Sequence, residues 1–198
     1  MGYNILHSYY LVARITVSTC LRLDGEMAYD AFNDDFRTIM RNSFNLGEIV
    51  FAHAAGTPFE HNPAVPPIVA DMGWITPLYF VAVKCRVHKV RFEAISFLSY
   101  GDCKEGIWDA TIAAKVATEL MRMEEQGIDE CHVKADNPED GMLPPEINRV
   151  FDIDVILPEG PNSQLGLVCK RRKEDGSCET VSKYFDARTC QWGAKGAG

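Results

Sequence analysis

Residues 105–126 read EGIWDATIAAKVATELMRMEEQ, and residues 149–157 read RVFDIDVIL. In the first stretch Trp108, Ile112, Val116, Leu120 and Met123 recur at helical spacing and lay one apolar stripe along an amphipathic helix. Gly127 follows, a residue that takes the left-handed stop of a helix without steric cost. In the second stretch the period falls to two: Phe151, Ile153, Val155 and Leu157 alternate with Asp152, Asp154 and Ile156, the pattern of a half-buried strand. The change of period divides the chain into a helical body over 1–146 and a β-meander over 147–187.

Upstream, residues 27–44 predict a helix buried through Ala28, Phe32, Phe36, Ile39 and Met40, with Asp30, Asp34, Asp35, Arg37 and Arg41 on the solvated side. Residues 3–22 predict another, apolar around most of its circumference and so packed on several sides. Although Ile5 to Leu23 is apolar-rich, His7, Arg14, Arg22 and four hydroxyl residues interrupt it below transmembrane uniformity. Leu6 stands where a myristoylation signal wants Ser or Thr, and no membrane association is expected. Prolines 58, 63, 66 and 67 with Gly56 mark a loop over 56–67. A third helix starts near Ile75, with Thr76-Pro77 in its first turn, and a fourth spans 87–99 on Val87, Val90, Ala94, Ile95 and Leu98. Residues 129–146 form an acidic, proline-bearing loop. After Pro158 to Pro161, strands over 165–172 and 178–185 are joined by Asp175-Gly176, a hairpin signal. The tail 188–198 is expected to be disordered. The resulting fold class is mainly α, with a small C-terminal antiparallel meander.

The net charge of −8 opposes phosphate backbones, so direct DNA binding by this chain is not expected. The dense basic run Lys170, Arg171, Arg172, Lys173 reads either as a nuclear-import signal or as the charged end of a strand. Seven cysteines at irregular gaps, with no CxxC pair, fit small buried thiols in a reducing compartment. Cys85 with His88, and Cys131 with His132, fall short of the four ligands zinc requires, so no metal and no cofactor are expected. A nucleophilic Cys85 or Cys103 meeting a histidine in space defines the enzyme alternative; no local motif frames either thiol. Trp74 and Trp108 read as core anchors, or as walls for a planar effector.

Two segments resemble the fungal-specific regulatory domain found C-terminal to zinc-cluster (Zn2Cys6-type) DNA-binding modules. Asp71 to Arg86, DMGWITPLYFVAVKCR, is similar to the family's aspartate and glycine followed by a proline-led helix ending in Lys-Cys-Arg. Asp71, Gly73, Pro77, Tyr79, Phe80, Lys84, Cys85 and Arg86 carry that likeness. Glu105, Gly106, Trp108 and Asp109, with the small residues 113–117 after them, resemble the family's Glu-Gly-Leu-Trp-Asp helix opening. The chain departs from the pattern at Val87-His88, where family members often have Asp-Pro. The zinc cluster is not in these 198 residues, which makes the chain a truncated relative, a partial sequence or a repurposed fragment. The resemblance implies a non-enzymatic regulatory module, nuclear with cytoplasm as the alternative. It would act through protein or effector contacts, or by self-association through its apolar N-terminal helix.

Overall fold

A computed structural model describes residues 2–56, 68–69, 73–100, 103–126, 143–160 and 163–193, with the backbone alone for 46–56 and 68–69. Five α-helices and a four-stranded antiparallel sheet near the C-terminus make the architecture mixed rather than mainly α. The helices are α1 (Gly2–Cys20), α2 (Asn33–Gly56), α3 (Ile75–Lys84), α4 (His88–Ser99) and α5 (Ala110–Glu124). β1 (Ile68–Val69), β2 (Lys104–Glu105) and β3 (Trp108–Asp109) form a small sheet among the helices. The larger sheet runs β4 (Val150–Ile156), β5 (Leu165–Arg172), β6 (Cys178–Asp186) and β7 (Gln191–Gly193), in chain order. None of the described helices is long and apolar enough to cross a membrane.

Several boundaries differ from the sequence reading, each for a local reason. The expected helix 27–44 begins as a 3-10 turn, Gly25–Phe32, and continues as α2 to Gly56. Three residues per turn put Glu26, Tyr29 and Phe32 on one line. From that line Glu26 accepts from Lys84 at the end of α3, and Tyr29 lies edge-on to Phe80, one turn earlier on the same face of α3. The expected start of a helix at 107 is instead a hairpin: Gly106 at φ +58 turns the chain between β2 and β3, and α5 begins only at Ala110. Glu146–Asn148, across the boundary between the expected acidic loop and the meander, is a 3-10 turn. Residues 57–67 of the proline-rich loop lie outside the described residues, as do 129–142 of the acidic loop and the expected helix stop Gly127.

In the large sheet Asp175 and Gly176 do form the turn between β5 and β6, with Gly176 at φ +80 and Ser177 N donating to Asp175 Oδ1 at 2.8 Å. Phe151, expected on the buried face of β4, is exposed. The register slips between Val150 and Asp152, a bulge that buries Val150 and swings Phe151 outward. The tail is not wholly irregular. Residues 187–190 turn and β7 pairs with β6, so that Trp192 sits across from Phe185 and packs on its ring at 5.5 Å.

One core joins helices and sheet. Ile15 of α1, Phe36 and Ile39 of α2, Leu78 and Val81 of α3, Ala94 and Leu98 of α4, and Val116, Ala117 and Leu120 of α5 are buried together with Leu165, Leu167 and Cys169 of β5. Cross-strand rows continue that inner face as Ile153, Cys169 and Val181, then Val155, Leu167 and Lys183. Lys183 is accommodated there because its ammonium pairs with the buried Glu119 of α5. The first helix packs less than its composition suggests. Only Ser8, Leu11, Ile15 and Thr19 of this helix are buried, so a single face packs deeply against the other described residues.

Because Leu167 is shared between sheet and helices, Leu167→Ala is expected to cost about 2–5 kcal/mol. The loss should appear as one lowered transition in a thermal melt followed by both helical and strand signals of circular dichroism. A melt in which the helical signal keeps its wild-type midpoint would show that the sheet contributes nothing to the helical core.

Candidate functional site

The two motif segments, some thirty residues apart in the chain, meet at the start of α3. Glu105 at the end of β2 turns its carboxylate onto that helix terminus and accepts from Trp74 N at 3.0 Å and Ile75 N at 2.9 Å. Helix N-termini carry orphan N–H groups and a partial positive charge, which a carboxylate satisfies. Here the acceptor comes from a distant hairpin, since Trp74 gives no side-chain cap of its own. Burial pushes the Glu105 carboxyl up, and the N–H groups of Ile75, Trp74 and Gly73 hold part of that rise back. Gly73 has its own reason to be there: a Cβ would fall well inside contact distance of Glu105 Oε1 and Cδ. The other half of the motif finishes the hairpin and starts the next helix. Asp109 caps α5 by accepting from Ile112 N at 3.1 Å, and Trp108 lies half-buried against Tyr79, with ring centroids 5.4 Å apart.

The Lys-Cys-Arg end of α3 feeds a second assembly, a buried charge cluster. Arg86 is fully buried and donates from Nη2 to Glu124 Oε1 and to Glu26 Oε2, both at 3.0 Å, and from Nη1 to the Val83 carbonyl at 2.6 Å. Lys84 reaches Glu26 at 2.8 Å, with its Nζ 4.9 Å from the Tyr29 ring centre. Arg91 of α4, also fully buried, donates from Nε to the Ala82 carbonyl at 2.8 Å. Its Nη1 lies 2.6 Å from Glu124 Oε2, without the alignment of a hydrogen bond, so this contact is a close ion pair. Glu124 Oε1 also accepts from Val150 N at 2.8 Å, which fixes the start of β4. Arg149 forks onto both oxygens of Asp30 at 2.8 Å and donates to the Pro144 carbonyl at 2.9 Å. Val87 begins α4 in extended conformation with no proline needed, so the departure at Val87-His88 leaves the α3–α4 junction intact.

Burial pushes the Glu124 carboxyl up, but Arg91, Arg86 and the Val150 N–H outweigh it and leave it below its ordinary value. Arg91 moves down through burial, with Glu124 opposing; a guanidinium starts so high that it stays charged. Glu124 is therefore held as a carboxylate between the two guanidiniums.

Glu26, Arg91 and Glu124 carry no role in the sequence reading, Asp30 is expected there on a solvated face but pairs with the buried Arg149, and Arg149 marks only the start of the strand stretch. Two of them left a signal. Glu124 falls one step of four beyond Val116 and Leu120 on the stripe of α5, and Arg91 falls between Val87 and Ile95 on the buried side of α4. A charged residue in register with an apolar stripe marks a buried ion pair.

The remaining candidates separate. Cys85 is buried and its thiol is pushed up to about 11 by that burial, the reverse of what a nucleophile needs. Cys103 is raised as well, by burial and by Glu105. His88 stands on the surface with Nδ1 2.9 Å from Glu125, and Cys131 and His132 lie outside the described residues. Among the described residues no group of three or more metal-ligating side chains gathers. Trp74 and Trp108 do not form two walls of one slot: Trp74 packs on Phe97 and Trp108 on Tyr79. Within the basic run, Lys170 pairs with Asp152 at 2.7 Å, Arg171 with Glu179 at 2.5 Å, and Arg172 approaches Glu146 at 3.8 Å. The run forms the end of β5, an interior strand, and the turn after it. Asp71 lies outside the described residues, and Pro77 is buried in the first turn of α3.

Two outcomes follow from this geometry. Gly73→Ala and Glu105→Ala should each cost about 1–3 kcal/mol through loss of the same cap. In a double-mutant cycle by chemical denaturation the second substitution should then add almost nothing; full additivity would show that the two residues act separately. Glu124→Gln leaves Arg86 and Arg91 buried without their shared counter-charge and should cost about 3–5 kcal/mol. Because the folded carboxyl is depressed, its contribution is present above the ordinary carboxylate value and lost as pH falls through the folded one. The wild-type protein should accordingly lose more stability than Glu124→Gln on acidification through that range. Parallel stability–pH curves for the two proteins would contradict the assignment.

Over 69 residues, 35% of this chain, the sequence is 32% identical to the aspercryptin biosynthesis cluster-specific transcription regulator atnN of Emericella nidulans. The matched part is 11% of that regulator's length, so the chain spans a small fraction of it. No family model matches the chain, and no solved structure matches it. The similarity is to a fungal transcription regulator.

Proposed function

We propose that this chain is a regulatory and interaction module of a fungal transcription regulator of the zinc-cluster kind, working in the nucleus through protein or effector contacts rather than by gripping DNA itself. The similarity to a fungal transcription regulator carries this reading. The chemistry of the site fits it. The charges of the motif residues Lys84 and Arg86 are taken up by Glu26 and Glu124, and both candidate thiols are shifted away from reactivity, so these residues build a scaffold more readily than a reaction centre. The net charge of −8 and the carboxylate partners of the basic run both weaken any attraction to a phosphate backbone.

Fusing the chain to a heterologous DNA-binding module in a filamentous fungus, upstream of a reporter, tests this role. Reporter transcription is expected to change relative to the DNA-binding module alone, and the change should be lost with Glu124→Gln, which breaks the scaffold. Reporter output that never departs from that of the bare DNA-binding module would count against a transcriptional role.

A further inference from the structure

The outward face of α1 is a second apolar seam. Tyr3, Leu6, Tyr10, Ala13, Val17 and Cys20 follow one another at alternating steps of three and four, the spacing of the a and d positions in a heptad. All six are exposed, and the four largest strongly so: Tyr3 74%, Leu6 71%, Tyr10 59% and Val17 69%. None of the six is an acidic or basic residue. The buried face of the same helix, through Ser8, Leu11, Ile15 and Thr19, lies on the opposite side of its circumference. The helix thus satisfies its own core with one stripe and carries a complete second stripe that the described residues leave open. Leu21 and Leu23, also exposed, prolong it beyond the helix end.

Area argues for an occupant of similar shape. At roughly 200 Å² for each tyrosine and less for each aliphatic chain, the seam and its extension offer on the order of 800 Å², which is what one side of a standard protein–protein interface buries. An exposed apolar face of this size exceeds what soluble monomers usually carry. Arg14 flanks the seam, but Asp35 of α2 already pairs with it, so it brings no uncompensated charge to an approaching copy.

We propose that two copies of this chain pair through this seam, with their α1 helices antiparallel. Side-chain sizes give the direction. Antiparallel pairing sets Tyr3 opposite Cys20 of the second copy, Leu6 opposite Val17, and Tyr10 opposite Ala13. Every layer then joins a larger side chain to a smaller one, and the layers fill evenly. Parallel pairing would place Tyr3 on Tyr3, Tyr10 on Tyr10 and Ala13 on Ala13, crowding two layers and leaving a void in a third. The pairing does not depend on the transcriptional reading, and its tests use no reporter.

Sedimentation velocity of the full chain over a concentration series, beside Leu6→Glu/Val17→Glu, measures the association. Wild type is expected to show a reversible monomer–dimer equilibrium and the double variant to remain monomeric. Both positions are exposed, so the variant should keep the wild-type melting temperature at concentrations where each protein is a monomer. A wild type that stays monomeric throughout, or a dimer that survives the double substitution, overturns the proposal. Direction is read by mild oxidation in a Cys131→Ser/Cys178→Ser/Cys190→Ser background. Tyr3→Cys should form an intermolecular disulfide with Cys20 of the second copy, while the background alone should not cross-link. Cross-linking of the background through Cys20, or none with Tyr3→Cys, overturns the antiparallel arrangement.

Discussion

The carboxylate of Glu124, buried at the end of α5, is the contact on which the other elements converge. Two fully buried guanidiniums face it, Arg86 from the α3–α4 connection and Arg91 from α4, and the first N–H of β4 is bonded to it. Removing such charges from water costs several kcal/mol for each ion, which only close partners can offset. Each partner here belongs to a different element, so the requirement for compensation becomes a requirement on geometry. The 3-10 turn must bring Glu26 to Arg86 and Lys84, and β4 must begin where Val150 can reach Glu124. An apolar core tolerates small rearrangements; this cluster specifies one.

The second point of closure explains why a handful of residues stood out in the sequence. Gly73, Glu105, Gly106, Trp108 and Asp109 are parts of one junction: a glycine that leaves room for a carboxylate, a carboxylate that caps a helix, a glycine that turns the hairpin, and an aspartate that caps the next helix. The turn at Gly106 and the cap by Asp109 concern local backbone geometry, which a short motif can express, whereas Gly73 and Glu105 meet across about thirty residues and are legible only as two motifs together. The Lys84-Cys85-Arg86 triplet differs, because its meaning lies in Glu26 and Glu124, far along the chain.

That contrast marks what was legible from sequence. Helical periodicity located α4 and α5 to within a few residues, Thr76-Pro77 located the start of α3, alternation located β4, and Asp175-Gly176 located the turn between β5 and β6. Local signals failed where tertiary partners decide the outcome. The 3-10 winding around Glu26 depends on α3, and the outward turn of Phe151 depends on a bulge against β5. β7 is only three residues long and exists because Trp192 can pack on Phe185. Arg149 looked like a boundary residue. It is buried because Asp30 lies across the fold from it, 119 residues away. The first helix was misjudged for a related reason: an all-round apolar composition says nothing about whether its faces are covered by one chain or by two.

The Glu105 cap also sets an order of events while the chain is being made. Protein synthesis proceeds from the N-terminus at roughly 5–20 residues per second. The residues of α3 therefore leave the ribosome before the carboxylate that completes their first turn, which lies 30 residues downstream of Ile75. The carboxylate of Glu26 waits for Lys84 and Arg86, 58 and 60 residues on, and that of Asp30 waits longest, since Arg149 follows it by 119 residues. Until then Asp30 of the nascent chain is without the guanidinium that pairs with it in the finished fold. The Asp30–Arg149 pair can form only once the end of the helical body and the first strand of the sheet have emerged.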